Sequence, residues 1–182
     1  MSNRRLSYEE CIAWVLEQPA WAWSLPWWRT AEIIVKASGR VWSVKDSSAF
    51  APAAIELLGC TAVDRSGQAA WVGWDLDVGE HGTTSYPDTA AAVADARRLR
   101  DALDGRAEIR LSKSGQGVHV RSLLHPAEIP ATDGVKIAKG LAAKLALRAD
   151  ATPLGRQAFW LWARNPKPHA FELVEPHEGL SA

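Results

Sequence analysis

In the segment WVGWDLDVGE, residues 71–80, two carboxylates, Asp75 and Asp77, sit two residues apart inside a run that otherwise reads as a buried strand. Strand side chains alternate between faces, so both carboxylates point one way while Trp74, Leu76 and Val78 point the other. Like charges sharing a surface repel unless a cation, a proton or water compensates. Two readings are open for the pair. Either the carboxylates end a strand and face water, or they hold divalent metal, since magnesium and manganese favour a few carboxylates combined with substrate phosphates. Two such ions, about 3.5–4 Å apart, can stabilise the attacking and leaving oxygens of a phosphoryl transfer.

A second constellation is IRLSKSGQGVHVR, residues 109–121. Gly115 and Gly117 permit a tight turn whose backbone N–H groups could face an anion, and Lys113 and Ser114 add donors. His119 and Arg121 share one face of the strand that follows. Together they could present N–H, hydroxyl, imidazole and guanidinium groups to a polyphosphate. The plain alternative is a hairpin turn with a surface histidine. A third constellation lies in RADATPLGRQAFWLWARNPKPH, residues 148–169. Here Asp150 offers a further carboxylate, and Arg156, Arg164, Asn165 and Lys167 could hold phosphate or sugar. The alternatives are a helix-end carboxylate and a polar hairpin turn.

These residues need elements to position them. Ser7 with Glu10 forms a capping-box pattern, which predicts a helix over residues 8–18 stopped by Pro19. The aromatic stretch AWAWSLPWW, residues 20–28, reads as an extended or irregular segment packed on the core, although aromatics also serve as stacking platforms for bases. Ser47 or Ser48 would cap a helix running through Leu58. Residues 61–63 and 69–77 read as two strands of a hairpin around DRSGQ. Asp88 is placed to cap a helix to about Leu103, with Ala92, Ala96, Leu99 and Leu103 at helical spacing. Residues 108–112 and 118–124 read as a strand pair around SKSGQG, and Thr132 or Asp133 would open a helix to about Arg148. Residues 157–163 and 170–174 read as a last pair around RNPKPH. The order is mixed α+β, with antiparallel strand pairs and helices between them.

The bulk numbers narrow the classes. A chain of 182 residues, 47% hydrophobic and 23% charged, can form one well-buried domain over residues 1–182. WAWSLPWW is too short to span a membrane and is broken by Pro26, and the first residues lack the apolar region of a signal peptide, so a cytoplasmic, membrane-free protein is expected. Cys11 and Cys60 belong to no Cys/His cluster and read as core residues. A net charge of zero argues against coating nucleic acid by bulk electrostatics. Residues 106–167, however, hold eleven Lys and Arg against four Asp and Glu, leaving ten against seventeen elsewhere. The back half is therefore a local cationic field suited to a polyanion held at one site, or a set of basic residues solvating two helices, as Lys136, Lys139, Lys144 and Arg148 would.

The order of a DxD strand (Asp75, Leu76, Asp77), an SGxGxH turn and strand (Ser114, Gly115, Gly117, His119), a later single aspartate (Asp150), then Arg156 and an N-x-K hairpin (Asn165, Lys167) resembles the archaeo-eukaryotic primase superfamily, in its small primase-polymerase branch. The resemblance covers about residues 70–175. It implies an RRM-like antiparallel sheet carrying the active site (residues 61–175) fused to an N-terminal α/β unit, here helical and rich in tryptophan (residues 1–60). It implies Asp75, Asp77 and Asp150 as ligands of two Mg2+ or Mn2+ ions, with His119 and Ser114 on the triphosphate of the incoming nucleotide. Lys113, Gly115, Gly117, Arg121, Arg156, Asn165 and Lys167 complete the nucleotide-binding set. The implied enzyme is a nucleotidyltransferase using NTP or dNTP, with single-stranded DNA as template and a primer, in replication of a plasmid, phage or other mobile element. The chain carries no GxxxxGK[ST] motif, so a helicase or replication-initiator partner is expected. The alternative is a degenerate module of the same type that binds single-stranded nucleic acid or nucleotide without turnover. A replication-initiator nuclease of the His-hydrophobe-His type is poorly matched, since the sequence contains no HxH.

Overall fold

Two antiparallel sheets meet across a layer of aromatic and charged side chains. The computed structural model describes residues 7, 10, 13, 14, 17, 33–44, 51–63, 66–79, 85–123, 129–152 and 158–178. Strands β1 (Ile33–Ala37), β2 (Arg40–Ser43) and β3 (Ile55–Thr61) are followed by a short β4 (Gln68–Ala69) and by β5 (Trp71–Leu76). Helix α1 (Thr89–Asp101), β6 (Glu108–Leu111), β7 (Val118–Leu123), β8 (Ile129–Pro130), helix α2 (Ala131–Lys144), β9 (Asp150–Thr152), β10 (Ala158–Ala163) and β11 (Leu173–Glu175) complete the order.

The larger sheet runs β11-β6-β7-β5-β9, every neighbour antiparallel. Within it, β5-α1-β6-β7-α2-β9 is a βαββαβ unit with spatial order β6-β7-β5-β9, the split βαβ arrangement of RRM-like folds. The architecture is thus α+β. Both helices cover one face of this sheet, because one set of alternate positions on each strand is apolar. Val72, Trp74 and Leu76 of β5, Ile109 of β6, and Val118 and Val120 of β7 bury against Ala92, Ala96 and Leu99 of α1 and Ala138 and Ala142 of α2. The small residues of α2 let the helix approach closely enough for Trp74 Nε1 to donate to the Ala138 carbonyl at 2.9 Å. That bond fixes α2 against β5.

The second sheet runs β10-β3-β1-β2. Cys60 of β3 and Phe159 of β10, register partners, pack with Trp71 of β5 and so join the two sheets. The Ser7–Glu10 capping box is present, with the Ser7 N–H donating to Glu10 Oε2 at 2.8 Å and the Glu10 N–H to Ser7 Oγ at 3.2 Å. Residues 10, 13 and 14 are helical, and Trp14 meets Trp162 edge-on at 5.9 Å.

Several expected elements differ. The helix expected through Leu58 is strand β3 from Ile55 onward, because a buried run, Ile55, Leu57, Leu58 and Cys60, satisfies a central strand flanked on both sides. The hairpin expected around DRSGQ is reduced to a Val63–Ala69 bridge, since β3 and β5 belong to different sheets. Residues 157–163 and 170–174 likewise do not pair with one another: β10 joins β3, and β11 joins β6. Helix α2 is capped by no side chain. Pro130 stands at the cap, and the Ala131 N–H donates to Gly67. The helix stops at Lys144 rather than near Arg148, because Ala146 turns left-handed and the Leu147 N–H reaches back to the Ala142 carbonyl. The Asp88 cap, with the Ala91 N–H at 2.8 Å from its Oδ1, and helix α1 lie where the sequence places them. The tryptophans of residues 20–28, Ser47, Ser48 and Cys11 lie outside the described residues.

Gly73 shows how tightly the sheets meet. A Cβ there would stand 2.5 Å from Phe159 Cε2. Gly73→Ala is therefore expected to destabilise by about 1–3 kcal/mol through overpacking. Adding Phe159→Ala should recover part of that loss, so that the double variant costs less than the sum of the singles in denaturant unfolding. Additive costs would show that the two residues do not meet.

Candidate active site

The face of the larger sheet opposite the helices is where the chemistry-bearing residues gather. Asp75 of β5 is the register partner of Asp150 on β9 and of His119 on β7, and His119 is in turn the partner of Arg110 on β6. Directly opposed residues share a face, so one row crosses the sheet in the order Asp150, Asp75, His119, Arg110. The expected juxtaposition of residues 75, 119 and 150 follows from strand order alone: β5 lies between β7 and β9, although 75 and 150 are far apart in sequence.

The electrostatics of the row are graded. Asp75 is about one-third exposed and Asp150 is exposed. Burial, then the charge of Asp150, pushes the Asp75 carboxyl up to about 6. Its Oδ1 is buried with no hydrogen-bond partner, and His119 Nε2 lies 3.5 Å away, beyond a good hydrogen bond. His119 is buried, its ring edge-on to Phe159 at 4.5 Å between centroids. Burial and then the Arg121 guanidinium push its pKa down to about 3, against a smaller opposing effect of Asp77, so the imidazole is neutral at physiological pH. At the end of the row, Glu108 accepts from Arg110 Nε at 2.7 Å and from the Arg121 guanidinium, and Arg110 also donates to the Phe171 carbonyl at 2.9 Å. All three of these charged side chains are essentially inaccessible to water. Arg121, expected on the nucleotide, is therefore engaged between the sheets with Glu108. The Cys60 thiol beside it is pushed up to about 11 by burial and is inert at neutral pH.

Asp77 follows the end of β5. The Tyr86 N–H donates to the Asp77 carbonyl at 2.8 Å, and the Gly79 N–H donates to the Tyr86 carbonyl at 3.1 Å. The Tyr86 hydroxyl donates to Asp95 of α1 at 2.9 Å and accepts from the Arg148 N–H at 3.1 Å. One tyrosine thus braces the backbone of Asp77 and the segment leading to Asp150. Neither motif nor spacing marks it; the only signal is a large polar aromatic between a strand and a helix cap.

The SGQG turn is built differently from the anion cradle considered above. Its N–H groups are spent within the turn: Gly115 donates to the Ser112 carbonyl at 2.9 Å, Gln116 and Gly117 to Ser114 Oγ at 3.2 and 3.4 Å, and Ser114 to Ser112 Oγ at 3.4 Å. Serine hydroxyls compete for nearby backbone donors, and here two of them take the N–H groups of Ser114, Gln116 and Gly117. The glycines serve close approach. Gly115 has φ +73 and abuts the Pro168 carbonyl, and Gly117 lies against Ser112 Oγ and the Leu76 carbonyl. This contact seats the turn on the loop after β10. The consequence is a cleft of about 380 Å³ lined by Lys113, Ser114, Arg164, Asn165 and Lys167 over an apolar floor that includes Ile55, Leu57 and Ala163. Four of the expected nucleotide-binding residues thus share one cleft. Arg164 joins them while its Nε donates to the Ile55 carbonyl at 2.8 Å. Arg156 lies outside the described residues.

A divalent ion suits part of this arrangement. Asp75 and Asp150 offer hard oxygens, one of them orphaned and buried, at a place where negative charge is uncompensated. Among the described residues, no three His, Cys, Asp or Glu side chains stand close enough to hold one ion, so Asp77 does not complete a preformed cluster. No helix among the described residues is long and apolar enough to cross a membrane.

Comparison with models of known protein families finds no match, and comparison with curated proteins finds none either. Among solved structures, the chain is similar to the polymerase domain of ligase D from Mycobacterium tuberculosis in complex with DNA, at 19% identity and a TM-score of 0.38. The likeness covers 71% of this chain and 47% of that one, so the chain spans about half the length of that structure.

The two titrations oppose each other and can be separated. Between pH 3.8 and about 6 the folded protein keeps the Asp75 proton that the unfolded chain has released, so this group's contribution to stability falls as pH rises through that window. His119, at about 3 when folded and 6.5 when unfolded, does the reverse, and its contribution is lost as pH falls below 6.5. In chelator, the Tm of Asp75→Asn relative to the native protein should rise from pH 4 to pH 7 and then level off. A difference that stays flat across this range would show that Asp75 titrates normally.

Proposed function

We propose that the protein is a metal-dependent nucleotidyltransferase of the primase-polymerase kind, joining a nucleotide from NTP or dNTP to the 3′-hydroxyl of a strand on a nucleic-acid template. The observation that carries this reading is the register that sets Asp150 and Asp75 opposite one another with a neutral His119 beside them. Asp75 and Asp150, with Asp77 at the strand end, would hold Mg2+ or Mn2+. When bound, such ions neutralise charge on the transferred phosphoryl group and orient the attacking hydroxyl.

The chain's own residues supply the remaining work. Lys113, Lys167 and Asn165 place cationic and amide donors around one cleft, where a triphosphate gains charge-assisted bonds. The Ser114 hydroxyl lines the same cleft while holding its own turn. His119, neutral and clamped by Phe159, can donate or accept a hydrogen bond without adding charge next to Asp75. No protein nucleophile is required, since the strand's hydroxyl attacks the α-phosphate directly and pyrophosphate leaves.

One observation favours a second reading. The described residues contain no preformed three-ligand cluster, as expected of a module that binds nucleotide or single-stranded nucleic acid without turnover. Primer extension with manganese decides between them. Asp75→Ala combined with Asp150→Ala should lower extension by about 10²-fold or more while circular dichroism stays native. Extension equal to the native rate would exclude the polymerase reading. Nucleotide binding that ignores manganese, with no extension by the native protein, would establish the second.

A further inference from the structure

Several basic side chains on the described surface are already neutralised by carboxylates. On α1, Arg97 pairs with Glu175, Arg98 with Asp95 and Arg100 with Glu178; Arg106 pairs with Asp104, and Lys136 of α2 with Asp133. Lys139, Lys144 and Arg148 differ. All three are exposed, and none makes an ion pair among the described residues. Lys139 also lines a groove of about 440 Å³ between the end of α2 and β9, whose walls include Ala142, Ala143, Leu147 and Ala149 and which reaches Asp150. Small side chains keep it open, and at neighbouring Gly140 even an added Cβ would meet nothing. The carbonyl of Leu145 at the helix end, which would repel an anion, already accepts from the Arg98 guanidinium at 2.9 Å.

The sheet order gives this groove its meaning. The Lys113–Ser114 turn joins β6 to β7 on one side of β5, while β9 lies on the other, and the groove at β9 shares no lining residue with the cleft at that turn. A nucleotidyl transfer needs two polyanions to converge on the carboxylates from different sides. We infer that the groove of Lys139, with Lys144 and Arg148 next in the chain to its wall residues Ala143 and Leu147, holds the sugar-phosphate backbone of a single nucleic-acid strand at its 3′ end, beside Asp150. This inference rests on the nucleotidyltransferase reading for its direction, but strand binding is measurable without catalysis. The phosphates meet the unpaired cations Lys139, Lys144 and Arg148, and the sugar lies over the alanine and leucine wall. The groove's volume is that of a small-ligand site, which limits it to about one nucleotide at a time.

The test is the salt dependence of binding to a fluorescent single-stranded oligodeoxynucleotide, followed by anisotropy in the full chain. Each phosphate contact on a single strand contributes about 0.7 to the slope of log affinity against log salt, so Lys139→Ser with Lys144→Ser and Arg148→Ser should flatten the slope by roughly 2. Lys136→Ser, on the same helix but already paired, should leave affinity and slope unchanged. Should the triple variant fail to fold, Ala143→Glu alone, which sets one negative charge in the groove wall, should weaken the oligonucleotide. Binding of ATP with manganese, measured in parallel, should be unaffected. A triple variant with native affinity and slope overturns the inference, as does a native protein that does not bind the strand. Loss of ATP binding together with the oligonucleotide in a folded variant also overturns it, because the groove would then be the nucleotide's. Failure of the native protein to extend a primer, with strand binding lost in the triple variant, removes the polymerase reading and leaves the strand groove standing.

Discussion

Two carboxylates set opposite each other on neighbouring strands repel, and backbone pairing offers nothing to relieve them. Asp75 and Asp150 are such a pair, and the surrounding structure is arranged so that they cannot separate. The apolar face of β5 is locked beneath α1 and α2, and Trp74 ties the strand to α2 by its indole N–H. Slipping β5 by one residue would exchange Trp74 and Leu76 for the carboxylates and bury charge against the helices, so the register is held by the core. The unfavourable contact is therefore kept, and burial first, with the charge of Asp150 adding to it, leaves Asp75 reluctant to ionise. A carboxylate pair held together in this way is where the proposed cation would relieve the repulsion.

The opposite end of the row balances it. Glu108 and Arg110 on β6 and Arg121 on β7 form a buried group with one net positive charge, on the side of neutral His119 away from Asp150. Breaking such a buried group by removing one partner is costly, about 3–5 kcal/mol, whereas its net contribution when intact is small. Its value here is geometric. Arg110 fastens β6 to the loop at Phe171, Arg121 holds the space beneath Cys60, and Phe159 closes over His119 from the second sheet. The layer between the sheets thus fixes the imidazole, the turn after β6 and the carboxylates relative to one another.

The sequence made the larger sheet legible because its strands alternate cleanly and its turns carry glycine and serine; β6, β7 and α1 lie where periodicity and the Asp88 cap put them. It concealed the second sheet. Residues 57–61 are buried without alternation, as in a central strand flanked on both sides, and such a run is indistinguishable from a buried helix turn by periodicity. Strand partnership was concealed too, since neighbours in sequence, β10 and β11, belong to different sheets. At the candidate site, spacing singled out Asp75, Asp77, His119 and the Lys113, Ser114, Asn165 and Lys167 group, the last four of which line one cleft. Arg121 misled because strand alternation puts it on the face of His119 but cannot say that Glu108 waits there. Tyr86 and Phe159 were invisible, because their roles depend on contacts from other elements rather than on any local pattern.

The central claim is that Asp75 and Asp150 tolerate their proximity because a divalent cation belongs between them. Titrating manganese into the protein while following its electron paramagnetic resonance signal tests this directly. The account predicts saturable loss of the free-ion signal in the native protein, strongly weakened by Asp75→Asn and by Asp150→Asn. Binding that is unchanged by both substitutions, or no binding by the native protein with or without nucleotide, would contradict it.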